Sequence, residues 1–163
     1  MKLIKKGLLD TWQSLPIYGM QHEGIPPGGA MDIFSLQIAN ALVGNDIYDK
    51  ALEMHFPAGV YQFEKSTLLA VCGADFTACI DNLSIPMNQP IKVPPGAILS
   101  FAKPVSGQRV YVATRPLTDE QVSRVKILPW SMNPENVMTD EPIRILCGRE
   151  WDQIKACSQQ LFL

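Results

Sequence analysis

The chain has 163 residues, 47% of them hydrophobic and 18% charged, with 14 basic against 16 acidic side chains and a formal net charge of −2. That length suits one compact unit able to bury a core without staples, and its apolar content offsets the ordering entropy that keeps polar chains disordered. The even charge balance gives nucleic acid little to bind, and no run approaches the ~18 apolar residues that a membrane-spanning helix needs; neither is an expected partner.

The opening Met1-Lys2-Leu3-Ile4-Lys5-Lys6-Gly7-Leu8-Leu9-Asp10 carries lysines but no apolar stretch of signal-peptide length, so the expected compartment is the cytoplasm. The first periodic element is a helix over 32–43. Asp32 is its natural N-cap, because its carboxylate accepts from first-turn amides and suits the positive end of the dipole. Phe34, Ile38, Ala41 and Leu42 are expected to share its buried face, and Gly44-Asn45 supplies a left-handed stop.

Next, Leu52-Glu53-Met54 reads as strand, and alternation sends Glu53 to the face opposite both apolar neighbours. If that face is also buried, the carboxylate requires a partner and becomes a functional candidate. Short β-favouring runs follow at 60–63, 68–72, 76–80, 91–93, 97–101, 110–113 and 143–146. They are bounded by turn residues: Glu64-Lys65-Ser66, Gly73-Ala74-Asp75, Asp81-Asn82, Pro94-Pro95-Gly96, Ser106-Gly107 and Asp140-Glu141-Pro142. Such turns pair strands antiparallel, which predicts a mainly β domain, a closed barrel or a sandwich, with one good helix. Thr118-Asp119-Glu120-Gln121 has capping-box spacing and Leu117 with Val122 can staple it, predicting a short second helix. Residues 129–136 read as a connecting loop, and a thin stripe of Trp151, Ile154, Ser158 and Leu161 predicts a third helix over 149–161.

Few residues carry recognisable chemistry. The four cysteines, Cys72, Cys79, Cys147 and Cys157, contain no C-x-x-C pair and are expected as free buried thiols. His22 and His55 have no ligand spacing, so no metal is expected. No nucleophile elbow of the Gly-x-Ser-x-Gly kind is present. Gly24-Ile25-Pro26-Pro27-Gly28-Gly29-Ala30-Met31-Asp32 is Gly-rich and precedes a helix, yet it lacks the Lys-Ser/Thr of a phosphate loop, and two prolines remove amide donors. It reads either as a rigid turn feeding a capped helix or as a helix start that polarises a carbonyl. Asp32, Glu53, Asp75 and Asp81 are the carboxylates placed to act as general acid or base, though spacing alone does not pair them.

Taken in order, Gly7-Leu8-Leu9-Asp10-Thr11-Trp12-Gln13, Tyr18-Gly19, the Gly24 to Asp32 segment, Ser35-Leu36, Ala39-Asn40-Ala41-Leu42-Val43-Gly44-Asn45 and Ala51-Leu52-Glu53 resemble the opening of one family. It is the biotin-dependent carboxyltransferase family, also called allophanate hydrolase subunit 2, which includes the C subunit of ATP-dependent 5-oxoprolinase and the antagonist of the sporulation kinase inhibitor. Weaker likeness continues through Cys72-Gly73-Ala74, Pro95-Gly96, Gly107-Gln108-Arg109-Val110-Tyr111-Val112-Ala113 and Ile143-Arg144-Ile145-Leu146-Cys147-Gly148-Arg149-Glu150-Trp151.

The resemblance implies a cyclophilin-like β-barrel, with 1–163 as a single domain corresponding to the first lobe of a longer family, either a shortened member or a chain ending after that lobe. It implies a complex with a 5-oxoprolinase B-subunit-like or allophanate hydrolase subunit 1-like protein that opens 5-oxoproline to glutamate at the expense of ATP. No cofactor is then expected on this chain itself: ATP belongs to the complex, and biotin enters only if the chemistry is that of urea carboxylase. By the same resemblance Asp32 and Glu53 are the catalytic candidates, with Asp32 orienting or deprotonating the substrate. Gly28, Gly29 and Asn40 are the substrate-binding candidates, and Asn40 and Glu53 hold the helix and pocket wall.

Two departures stand out. Where the family has a Gln-Asp pair followed by Gly-Arg, this chain reads Gln13-Ser14-Leu15-Pro16-Ile17, without the acid or the base. Thr114-Arg115-Pro116-Leu117 runs directly into a short helix, where the family continues with a glycine pair and a Gly-Ser-Arg-Ser-Thr-like segment. These departures imply the alternative of a catalytically degenerate binding or scaffold module that keeps the fold and its partner surface. An uncovered sheet edge would also favour self-association into a homo-oligomer.

Overall fold

The structure, a computed structural model, describes residues 1–124. The expected loop at 129–136, strand at 143–146, helix at 149–161, and Cys147 and Cys157 lie outside the described residues. The elements in order are β1 (Lys2–Lys5), β2 (Asp10–Gln13), a 3-10 turn (Gln21–Glu23), α1 (Ile33–Val43), β3 (Ala51–Met54), β4 (Val60–Gln62), β5 (Thr67–Asp75), β6 (Ala78–Ile80), β7 (Leu83–Ser84), β8 (Ile91–Val93), β9 (Ile98–Phe101), β10 (Ser106–Pro116) and α2 (Asp119–Arg124).

The architecture is mainly β. One sheet has the order β1-β4-β9-β6-β7 and the other β2-β3-β10-β5-β8, with antiparallel pairing in each. The consecutive strands β1 and β2 lie at the edges of different sheets, so the chain crosses from one sheet to the other there. Among the described residues no ladder closes the two sheets into one, and the arrangement is a barrel-like sandwich. Asp81 and Asn82, both at positive φ (49° and 69°), make the two-residue turn that joins β6 to β7.

The two long strands run past residues that read as turns in the sequence. β5 continues through Gly73-Ala74-Asp75 and β10 begins at Ser106-Gly107. Their ladder shifts register between Ser106 and Val110, and Gly73 and Gly107 both have positive φ (86° and 79°). These glycines therefore mark a bulge that lets pairing continue, where a chain reversal was expected.

Both faces of the central strands of the β2-β3-β10-β5-β8 sheet are covered, which is why β3 is buried at all four positions. Leu52, Met54, Val71, Val110 and Val112 face the other sheet in one apolar cluster. Ala51, Leu68, Ala70, Tyr111 and Ala113 face α1 in a second. Burying each of the larger side chains contributes roughly 1.5–3 kcal/mol, so these two layers hold the sheet in place.

The ends of α1 match the sequence expectation. Asp32 is the N-cap and accepts from the Ser35 amide at 3.0 Å, and Gly44 (φ 74°) stops the helix. The buried face differs. Leu36, Ala39 and Val43 are fully buried, whereas Phe34 is 46% exposed. Small Ala39 and fully buried Leu36 and Val43 meet β5 and β10, which turns Phe34 outward. At α2 the capping box forms in both directions: Thr118 N–H donates to Gln121 Oε1 at 3.0 Å and Gln121 N–H to Thr118 Oγ1 at 3.4 Å. Leu117 is buried and Val122 packs against the same cluster, completing the staple.

Candidate functional site

On the helix-facing side of the second sheet, cross-strand partners place Thr11, Glu53, Tyr111 and Cys72 in one row over β2, β3, β10 and β5. Strand alternation accounts for it: Leu52 and Met54 point to the other sheet, so Glu53 points toward α1. There it is only 3% exposed. A buried carboxylate is costly unless its charge and lone pairs are met. Glu53 is met by three donors. Arg109 Nη1 reaches Oε1 at 2.8 Å, the Tyr111 hydroxyl reaches Oε2 at 2.7 Å, and the Met31 amide reaches Oε2 at 3.0 Å.

Tyr111 extends this network to the helix. Its hydroxyl donates to Glu53 and accepts from the Asp32 amide at 2.8 Å, so a fully buried phenol links the sheet carboxylate to the N-cap of α1. Burial first, and then the bond to Glu53, push the phenol's pKa upward, keeping it a donor. Asp32 is exposed, and its carboxylate is steadied by the Ser35 amide and the Ser35 hydroxyl. Burial, and after it the charge of Asp32, push the Cys72 thiol up to about 12. Cys72 is therefore a neutral thiol at physiological pH and no thiolate nucleophile. Cys72 and Cys79 are both free and buried.

Gly73 forms the floor beside this row. A Cβ there would stand 2.7 Å from the Arg109 carbonyl oxygen and 3.1 Å from the Tyr111 ring, so any side chain would press on the phenol. Gly29 works similarly on the approach to the helix: at φ 84° its Cβ would lie 2.6 Å from Pro16 N. The loop thus lies flat on the Leu15-Pro16 segment and delivers the Met31 and Asp32 amides to Glu53 and Tyr111. Gly28, also at positive φ (61°), faces open space.

Of the five residues that the resemblance implies for the site, Asp32 and Glu53 are brought together, and Gly28 and Gly29 shape the turn leading to them. Asn40 lies eight residues further along α1, about 12 Å at 1.5 Å per residue. Its amide donates to the Asp49 carbonyl at 2.7 Å and its oxygen accepts from Asn45 Nδ2 at 3.3 Å. Asp75 and Asp81 fasten turns instead, accepting from the Thr77 and Ile98 amides at 2.7 and 2.9 Å. Arg109, Tyr111 and Ser35 were not singled out in the sequence. Alternation along β10, with Val110 and Val112 to one side, would have put Arg109 and Tyr111 on Glu53's face. Among the described residues no group of three or more His, Cys, Asp or Glu side chains gathers as a metal site, and no helix is long and apolar enough to cross a membrane.

Chemically, the arrangement presents one exposed carboxylate at a helix N-terminus, backed by a buried carboxylate whose charge a guanidinium balances. Asp32 can accept an N–H from a neutral amide-like group or take its proton, while the helix start favours developing negative charge nearby.

Residues 23–121 match the carboxyltransferase domain family, subdomain A and B. The chain belongs to that family. It is 33% identical over 113 residues to the C subunit of 5-oxoprolinase from Escherichia coli, covering 69% of this chain and 36% of that protein. It is 36% identical over 92 residues to urea amidolyase of Saccharomyces cerevisiae, covering 56% of this chain and 5% of that one. Among solved structures, the Kluyveromyces lactis urea carboxylase superposes with a TM-score of 0.67 at 33% identity, over 70% of this chain and 10% of that chain. The chain thus spans about a third or less of the length of each of these relatives.

Proposed function

We propose that the chain is the C-type component of an ATP-dependent 5-oxoprolinase or of a related amide-activating complex in the cytoplasm, acting with a B-type partner that resembles allophanate hydrolase subunit 1. The observation that carries this reading is the buried Glu53, bonded through Tyr111 to the Asp32 N-cap, inside the segment that matches the family. Asp32 touches the substrate amide, orienting it or accepting its proton. Glu53, neutralised by Arg109, sets the position of Asp32. Gly28 and Gly29 let the loop bend toward them, and Asn40 secures the far end of the same helix. ATP is consumed by the complex, and biotin takes part only if the reaction is of the urea carboxylase kind.

Reconstitution with the A-type and B-type proteins of such a complex tests this by measuring ATP-coupled conversion of 5-oxoproline to glutamate. Turnover that requires this chain, and that falls about 100-fold or more in Asp32→Asn, is the expected result. Asn retains the N-cap, so the variant stays folded. A complex that turns over equally well with Asp32→Asn overturns the role of Asp32.

One observation favours a second reading, a binding or scaffold module without chemistry. Leu15 and Pro16 pack under Gly29 and the Ser14 carbonyl accepts from the Ala30 amide, so the fold around the loop stands on residues that carry neither the acid nor the base that the family resemblance implies there. Assembly with the partner, but no turnover of 5-oxoproline, selects it.

A further inference from the structure

Between Ser14 and Ala30 the chain leaves the second sheet as an arm. Its two limbs are tied by the Ala30 amide to the Ser14 carbonyl and the Ile17 amide to the Pro27 carbonyl, both at 2.9 Å. Away from its polar tip at Gln21-His22-Glu23 the outer surface of the arm is largely apolar: Ile17 is 70% exposed and Tyr18 69%, Met20 and Ile25 are also exposed, and Met31, just past the arm, is 73% exposed. From Thr11 to Met31 the one fully charged side chain is Glu23, in a chain that is 18% charged. Single exposed apolar residues are ordinary on a protein surface. Several exposed Ile, Tyr and Met side chains on one arm, with Glu23 at its tip as the one full charge, instead have the composition of an interface core.

We propose that this arm is a self-complementary docking surface on which a second copy of the chain binds, arm against arm about a twofold axis. The charge pattern selects that occupant. In a twofold contact each patch meets its own copy, so any net charge on it repels itself, and this arm carries almost none. A second exposed apolar stretch, among the described residues, lacks this property. There Leu3, Ile4, Leu8 and Leu9 are interleaved with Lys2, Lys5 and Lys6, which would set like charges against each other in a symmetric pair. Size agrees as well. One side of a standard interface holds about 20–30 residues, and the arm with its exposed neighbours Trp12 and Phe34 has that extent. Because the Met31 amide bonds Glu53, the proposed interface runs up to the rim of the Asp32 site, but its existence does not depend on the function proposed for that site.

Light scattering on the full chain, from low to high micromolar concentration, tests it. The expected mass rises with concentration to twice 18.1 kDa. Ile17→Lys, at an exposed position, should raise the dissociation constant about tenfold or more while leaving the circular dichroism spectrum unchanged. Tyr18→Asp serves the same purpose should Ile17→Lys fold poorly. Leu83→Lys, exposed on β7 of the other sheet, should leave the constant unchanged. A single-chain mass at every concentration, a dimer insensitive to both arm variants, or an equal effect of Leu83→Lys overturns the proposal.

Discussion

The two ends of α1 are both fastened to the same sheet by polar side chains, and they are fastened differently. At the C-terminal end two amide side chains and a guanidinium meet mostly backbone oxygens: Asn40 donates to the Asp49 carbonyl, Asn45 to Asn40 Oδ1 and the Thr114 carbonyl, and Arg115 Nη1 to the Gly44 carbonyl at 2.7 Å. At the N-terminal end an ion pair, a buried phenol and two backbone amides converge on Glu53 and Tyr111, and the outermost member, Asp32, remains exposed. The first arrangement closes a helix, whereas the second closes it and still holds a carboxylate out to solvent. The difference separates a fastening from the site proposed at Asp32, although both look like buried polar residues near a helix end.

Removing Glu53 should break this comparison most severely. Glu53→Ala leaves the Tyr111 hydroxyl and the Met31 amide without their acceptor and Arg109 without its partner, and Arg109 is only about a quarter exposed (24%). A loss of about 3 kcal/mol is expected, from the low end of the range for a broken buried pair because Arg109 keeps some water. Urea unfolding measures it. Glu53→Gln, which still accepts from Tyr111, should cost less. A loss for Glu53→Ala no larger than that of Asn40→Ala would erase the distinction between the two ends.

Tyr111→Phe is next, at about 2 kcal/mol, because it leaves a buried carboxylate oxygen and the Asp32 amide each short of a partner. Its second expected effect is reduced turnover of a reconstituted complex, through a displaced Asp32. Asn40→Ala should follow at about 1–1.5 kcal/mol, for the lost bonds to Asp49 and Asn45, with turnover unchanged per folded molecule. Paired stability and activity measurements on these two variants sharpen the comparison. A variant at the C-terminal end that lowered turnover as much as Tyr111→Phe would merge the two ends into one site.

What was legible in the sequence follows from how local each cause is. The caps of α1 and α2 depend on side chains within three or four residues of the backbone groups they satisfy, and Asp32, Gly44 and Thr118 could be read directly. The need of Glu53 for a partner was legible too, since Leu52-Glu53-Met54 alternates over two residues. Its partners were not, because Tyr111 stands 58 residues away and reaches Glu53 only through the β3–β10 register. Non-local packing also reversed the reading of Phe34, which shares an apolar stripe with Ile38 but faces solvent once Leu36 and Ala39 meet the sheet. β1 and β2 gave little signal. They are four-residue edge strands, exposed or half-exposed, with no apolar alternation to mark them.

The last expected effect concerns alkaline pH, is the smallest of these only up to about pH 9.5, and belongs to the N-terminal end of α1. Cys72 keeps its proton in the folded chain up to about 12, against 9.0 when unfolded. Its contribution to stability is therefore complete below pH 9 and is lost as pH rises from 9 toward 12, because the unfolded chain releases a proton that the folded chain retains. The slope approaches about 1.4 kcal/mol per pH unit, and the loss at pH ~9.5 stays under about 1 kcal/mol. Cys79, raised by burial alone, acts in the same direction, and Tyr111 adds its share above pH 10. Unfolding free energies from pH 8 to 10.5 should accordingly fall less steeply in Cys72→Ala than in the unmodified chain, whatever constant offset the smaller side chain adds. Tyr111→Phe should flatten only the upper part of that range. Identical slopes in Cys72→Ala and the parent chain would mean that Cys72 already reaches water in the folded state, and that the row from Glu53 to Cys72 is open beneath α1.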